Sequence, residues 1–220
     1  GKELQNELSK EQQANKEIQR KIQQMIDEER RKAEEARRKE EEARAKAEEA
    51  EKRSGNNTSG KNTASSTSSS TKPSENKAKT TTNAPSANVA LTGSFRSNKG
   101  KMPYPVDSNY AFLRHFKEKN DGNVSISLST SVNANACAIF EGTVLRVSRS
   151  SDDYTIIISH GDYMSVYSNL SSASVKVGQK VKGRQAIGKI KSDIDGRRGE
   201  LMFWIYGKSD AENPEAWLKR

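Results

Sequence analysis

"RGELMFWIYG", residues 198–207, is the stretch whose reading decides the fold. Its side chains alternate as in a β-strand, with Leu201, Phe203 and Ile205 to one side and Met202, Trp204 and Tyr206 to the other. A Gly/Arg-rich turn leads into it, near the end of the chain. For the second set, core packing and a contact surface for a partner helix both stand open. Working outward, residues 93–220 hold further short β-rich runs separated by Gly, Asn and Asp: "NVSISL", "ACAIF", "TVLRVS", "YTIIIS", "YMSVYS", "SVKV", "QKV" and "QAIGKI". Such regular spacing predicts a mainly β domain, a sandwich or roll.

The rest of the chain is of a different kind. Only 31% of the 220 residues are hydrophobic and 30% are charged, so part of the chain lies outside any core. The aromatics locate the division, because none precedes Phe95. Residues 1–53 contain no Pro and no internal Gly, and Leu4, Leu8, Ile18, Ile22 and Met25 fit a heptad seam with Asn15 inside it. Beyond Asp27 the seam keeps only Ala36, Ala43 and Ala50. Glu→Lys/Arg pairs at i,i+4 take over: Glu28–Lys32, Glu34–Arg38, Glu35–Lys39, Glu40–Arg44 and Glu48–Lys52. This predicts a helix roughly 75–80 Å long, read as a coiled-coil fragment, with a single solvated helix as the alternative. Residues 54–92, rich in Ser, Thr, Asn and Lys, hold no bulky apolar residue before Val89 and read as a flexible linker with a root-mean-square reach of about 35 Å.

No apolar run approaches the roughly 18 residues that span a bilayer, and no signal peptide is present. The chain begins on Gly1, so the natural protein is expected to extend upstream, and the missing leader says nothing against export. The net charge of +9 and pI near 9.5 favour acidic partners. Nucleic acid is not expected, since the helical segment carries fifteen basic and fifteen acidic residues and no basic-aromatic motif occurs. Cys137 stands alone in "ACAIF" and reads as a small buried hydrophobe.

Chemistry is sparse. There are two histidines, His115 and His160, and one cysteine, which barely permits the three protein ligands of a zinc enzyme. G-x-S-x-G, P-loop, G-x-G-x-x-G and C-x-x-C motifs are absent. His115 sits in the polar run "LRHFKEK" and reads as solvated. His160, in "SHGD", reads as structural or superficial.

Five blocks, "GKMPYPV" (100–106), "VSIS" (124–127), "VNANACAIFEGTV" (132–144), "IIISHGDYMSVYSNLSSASVKVGQKVKGRQAIGKI" (156–190) and "LMFWIYG" with "NPEAWL" (201–218), resemble in order and spacing the LytM domain of lysostaphin-like metallopeptidases. They look most like EnvC-type murein hydrolase activators, in which a coiled coil precedes such a domain. Active members of the peptidase family carry H-x-x-x-D, a His within Y-x-H-L, and H-x-H opening the last long strand. This sequence has Asp121 and Ser125 at the first pair, Asn169 at the middle position, and Glu200 and Met202 at the third. The resemblance thus implies a degenerate LytM domain with no catalytic residues, no metal and no cofactor, because Ser and Met are poor zinc ligands and Asn shuttles no proton near neutral pH. A hard-cation cluster of Asp121, Glu200 and His160 is a minor alternative.

What remains is recognition. The resemblance implies a groove that binds and activates a cell-wall N-acetylmuramoyl-L-alanine amidase, in division or daughter-cell separation. Ser125, Asn169, Arg197, Arg198, Glu200, Met202 and Trp204 would line it, with the arginines available for a carboxylate. It also implies a periplasmic or cell-envelope location, a membrane-associated division complex held through the coiled coil, and an oligomer if that coil pairs. The alternatives are a zinc-dependent peptidoglycan endopeptidase and a passive peptidoglycan-binding module.

Overall fold

The computed structural model describes residues 2–54, 91, 93–118 and 122–220, with side chains of the helix from residue 13 onward except Asn15 and Ser54. The chain divides into two compact units, one of Gly1–Met25 with Val89–Arg220 and one of Ile26–Asn88. The expected linker and the seam side chains Leu4, Leu8 and Asn15 therefore lie outside the described residues, apart from Ser54 and Leu91.

Helix α1 runs Lys2–Ser54 without a break, as a segment free of Pro and internal Gly allows. Five i,i+4 ion pairs line it: Glu17–Lys21 at 3.4 Å, Glu28–Lys32 at 3.0 Å, Glu35–Lys39 at 2.7 Å, Glu42–Lys46 at 3.0 Å and Glu49–Arg53 at 3.1 Å. Two of these are the pairs read from the sequence. The exchange of the others for neighbouring pairs reflects how little each exposed pair stabilises, about 0.2–0.5 kcal/mol. Lys52 and Arg53 close the last turn, where cations suit the helix dipole. Ile22 and Ile26 are buried, whereas every described residue from Arg31 to Arg53 is exposed.

The β-domain has ten strands: β1 Tyr110–Arg114, β2 Ile126–Thr130, β3 Asn135–Cys137, β4 Gly142–Ser150, β5 Asp153–Ser159, β6 Met164–Ala173, β7 Lys180–Val181, β8 Ala186–Ile190, β9 Gly199–Tyr206 and β10 Ala211–Glu212. They form one antiparallel sheet in the order β1-β2-β9-β6-β5-β4-β7, with β10 paired to β9, and β8 paired to both β6 and β3. One assignment differs from the sequence reading. "SVKV" is not a strand: Val175 drops into the core, and the segment turns back at Gly178 to form β7. The polar run "LRHFKEK" also contributes to the sheet: Leu113 and Arg114 end the edge strand β1, whose exposed residues hide the period-2 signal.

One strand joins two sheet directions. The first half of β6 pairs with β9 from Met164–Tyr206 to Ser168–Met202, and its second half pairs with β8 from Leu170–Ile190 onward. Asn169 sits at the switch with φ +65°. Opposite it, β5 gives one residue to two of β6, a bulge between Tyr154 and Ile156. Asn tolerates this left-handed backbone better than most L-residues, which suits it to the joint.

The core lies on one face of these strands. It gathers Ile126 and Leu128 from β2, Leu201, Phe203 and Ile205 from β9, Tyr167 from β6, and Ile156 and Ile158 from β5. Phe95 fastens the start of the domain to it, stacked on His160 at 4.6 Å and on Tyr163 at 5.1 Å, tilted against Trp217 at 4.9 Å and edge-on to Phe140 at 5.6 Å. Cys137 is buried as expected, and burial pushes its thiol up to about 11, so it stays protonated and inert.

Candidate functional site

The opposite face of β9 presents Glu200, Met202, Trp204 and Tyr206. Register partners share a face, so Met202 stands between Ser127 of β2 and Ser168 of β6. Ser168 in turn holds Thr155 of β5 through a 2.8 Å hydroxyl contact. The middle of this face is therefore a row of small hydroxyls around one thioether. Toward the Tyr206 end the face becomes apolar: Ile157, Met164, Val166, Trp204 and Tyr206 are all buried, although they point away from the core. Trp204 Nε1 is buried without a hydrogen-bond partner among the described residues.

Ser125, Asn169, Glu200 and Met202, four of the five positions expected to be degenerate ligands, come together on or just ahead of the adjacent strands β2, β9 and β6, and the first three have structural roles. Ser125 is fully buried just ahead of β2. Its backbone N–H and its hydroxyl donate to Asn123 Oδ1 at 3.3 and 2.8 Å, while Asn123 Nδ2 donates to Ser125 O at 3.1 Å. The hydroxyl closes a tight turn and is not free to ligate. Asn169 Nδ2 donates to the carbonyl of Glu200 at 2.8 Å, tying the β6 joint to β9. Glu200 N–H donates to Lys191 O at 3.1 Å, which sets the start of the last long strand. Asp121 lies outside the described residues.

Arg197 and Arg198 are exposed on the turn before β9. Asp193 organises that turn: its carboxylate accepts from Arg197 N at 2.9 Å and Arg198 N at 3.4 Å, and pairs with Arg198 Nε at 3.3 Å. Arg198 is thus partly engaged. Ile194, at the same turn, is fully exposed. An apolar residue inside "SDIDGRR" was a legible signal of an unusual rim, and the sequence reading passed over it.

Neither histidine reaches this face. His160 Nδ1 lies 2.7 Å from Glu141 O, and because a carbonyl only accepts, that nitrogen carries the proton. Nε2 lies 2.7 Å from Ser165 Oγ, itself 3.1 Å from Tyr167 OH, which accepts the amide of Ile139 at 3.0 Å. Burial beneath Phe95 depresses the imidazole to about 4, the Glu141 carbonyl opposing only in part. His115, read as solvated, pairs with Glu215 at 3.0 Å and stacks on Phe112 at 4.4 Å. Among the described residues no three His, Cys, Asp or Glu side chains gather where a metal ion would fit.

The sequence also gave no hint of Gln19. In the orientation that satisfies both of its partners, its side-chain amide donates to Gly122 O and accepts from Val124 N–H, each at 2.9 Å. A helix side chain thus reads the loop carrying Asn123 and Ser125 as a strand backbone would. Lys16, Gln19, Arg20 and Gln23 line a cavity of about 640 Å³ with Lys117, Gly122, Val124, Tyr206, Asp210 and Ala211. Ile22, three residues past Gln19, is buried.

A zinc site needs basic or anionic donors free to converge. A hydroxyl locked in a turn, an amide committed to a backbone carbonyl and a thioether do not fit one. No helix among the described residues is long and apolar enough to cross a membrane.

Comparison with known proteins gives the lineage of this arrangement. Residues 121–214 match Peptidase family M23. No curated protein gives a significant match. Among solved structures, a chain of the SpoIIQ–SpoIIIAH pore-forming complex is 24% identical over 56% of this chain and 92% of its own, with a TM-score of 0.48. Csd3 of Helicobacter pylori is 18% identical over 54% and 35%, with a TM-score of 0.45. Lysostaphin of Staphylococcus simulans is 22% identical over 49% of each chain, with a TM-score of 0.41. Residues 121–214 are thus similar to Peptidase family M23, and the chain resembles these structures over about half its length.

Proposed function

We propose that this M23 domain is a non-catalytic regulator of the cell envelope, which binds and activates a peptidoglycan N-acetylmuramoyl-L-alanine amidase during daughter-cell separation. The observation that carries the reading is the fate of the ligand positions. Ser125, Asn169 and Met202 replace metal-binding and proton-moving side chains, and two of the three are spent on holding the loop and the strand joint. What that face still offers at its surface is the half-buried Met202 and, at the turn where β9 begins, the exposed Ile194 with Arg197 and Arg198. An apolar anchor zone with a polar rim suits recognition of a partner segment. The Gln19 contact supports a helix as that segment, since one helix already hydrogen-bonds the 122–124 loop. The coiled-coil reading of α1 adds attachment to a membrane-associated division complex and a possible oligomer.

The test is to mix the chain with a cognate amidase and purified sacculi. Binding and a rise in amidase activity are expected. If both are unchanged, the reading fails. Stoichiometric zinc after dialysis, with dye released from labelled sacculi by this protein alone, would establish the zinc endopeptidase instead.

A further inference from the structure

The sheet has several edges among the described residues, and one is unlike the others. β7 and β10 are two residues each, and β7 opens on exposed Lys180. β3 is covered, since Cys137 N–H donates to Pro105 O at 2.9 Å and Ala136 bridges to Val106. Short strands, lysines and covering segments are the usual means by which a sheet avoids pairing with another chain. β1 pairs with β2 alone, and Tyr110–Leu113 on its open side contain no charge and no proline. A bulge at Leu113 leaves Tyr110, Ala111 and Phe112 as the regular part of that edge.

The side chains at this edge are as unfinished as its backbone. Five large apolar residues are exposed among the described residues, and three of them, Tyr110, Leu113 and Val132, lie on or just after β1 and β2. Single exposed apolar residues are ordinary; a cluster along an open edge marks a contact surface. Register with Thr130 and Leu128 sets Tyr110 and Phe112 on the core side of the sheet. Tyr104 stacks on Tyr110 at 4.0 Å and stands edge-on to Phe112 at 6.1 Å. Tyr104 and Phe112 pack against the core, so this aromatic row carries the core layer past the last strand and ends in water. Ala111, on the other side, is exposed and small.

The regular part of β1 is its own complement. Two copies laid antiparallel about a twofold axis at Ala111 set Tyr110 opposite Phe112 of the second copy, twice, with Ala111 opposite its own counterpart. Because the axis stands normal to the sheet, both core sides stay together and the two aromatic rows meet. The same operation carries exposed Asp107, ahead of the strand, toward Arg114 of the second copy, which closes it. A copy of this chain thus supplies twice over the aromatic cover and the unpaired backbone that the edge lacks, and this selects a second copy over an unrelated strand.

We propose that β1 is a self-association edge, through which two copies of this chain pair into one continuous sheet. The inference goes beyond amidase recognition and does not rest on it, since pairing edge to edge covers neither face of the sheet. Five residues make a strand about 17 Å long, so the interface belongs to the small, reversible class.

The experiment is analytical ultracentrifugation of the full chain over a range of concentrations, where a reversible dimer is expected. Ala111→Lys should weaken it about tenfold, because like charges directly opposite one another repel. Lys180→Glu, on the far edge, should leave it unchanged. Ala111→Cys should form a disulfide-linked dimer on mild oxidation of dilute protein, whereas Lys180→Cys should not; Cys137 is buried and does not compete. Near-ultraviolet circular dichroism of the buried tryptophans verifies the fold of each variant. A chain that stays monomeric at every concentration overturns the proposal. So does a dimer that Ala111→Lys fails to weaken and Ala111→Cys fails to lock, which places the contact on α1 instead.

Discussion

The two faces of β9 are built from alternate residues of one eight-residue strand, and they have opposite fates. Leu201, Phe203 and Ile205 are sealed into the core with Ile126, Leu128 and Tyr167, where each side chain touches many others. Glu200, Met202 and Trp204 lie on the other face, where the register partners of Met202 are Ser127 and Ser168 and the carbonyl of Glu200 accepts from the amide of Asn169. The scaffold face has kept the tight apolar packing that folding demands. On the other face the polar groups of Ser125 and Asn169 support the backbone.

That contrast breaks first under truncation of the core face. Phe203→Ala should cost about 3–5 kcal/mol, and Met202→Ala, on the partly exposed face, under about 1.5 kcal/mol. Urea denaturation of the two variants measures the difference; equal losses would mean that the groove face is as structural as the core.

Acid should give the next largest effect, through the polar chain at the end of β5. His160 titrates near 4 in the folded protein and near 6.5 when unfolded. The unfolded state therefore binds the extra proton first as pH falls. Stability from this group is fully present above about 6.5, declines below it, and by about pH 4 has lost roughly 3 kcal/mol. Thermal unfolding across that window should show the decline in the parent protein, and His160→Gln should flatten it.

Smaller effects probe the joint between the faces. Asn169→Ala should cost about 1–2 kcal/mol, combining a strained φ with loss of the bond to Glu200, whereas Asn169→Gly keeps the backbone and loses only the bond. Denaturation of the pair apportions the two terms. The smallest change is expected at the loop: Gln19→Ala removes two hydrogen bonds, worth about 1 kcal/mol, and should raise hydrogen exchange at Val124 several-fold while the core amides stay protected. Unchanged exchange there would mean that the helix does not steady the loop in solution.

Much of the fold was legible because its signals are local. Alternation in "RGELMFWIYG" and "YTIIIS" marks strands β9 and β5, and the absence of Pro and internal Gly with recurring Glu→Lys pairs marks α1. The edge strand β1 escaped because an edge buries little, so the alternation that burial imposes is weak in Tyr110–Arg114. The resemblance to LytM domains singled out positions 125, 169, 200 and 202. Their tasks in the fold were not legible, because Asn169 as a sheet joint depends on Glu200, 31 residues away in sequence, and the Ser125 turn closure depends on the local backbone bringing Asn123 Oδ1 within reach.

The sequence by itself determined that a hydroxyl, an amide and a thioether stand at Ser125, Asn169 and Met202, none of them a strong metal donor. Composition also set apart a charge-balanced stretch without aromatics from the later residues that hold all of them. Only the tertiary structure decided what those side chains do. Register set Met202 between two serines and carried β6 past Asn169 from β9 to β8. The physical reason is that a hydrogen bond or a strand register is a relation between groups distant in sequence, whereas chemistry and periodicity are properties of the chain read in order.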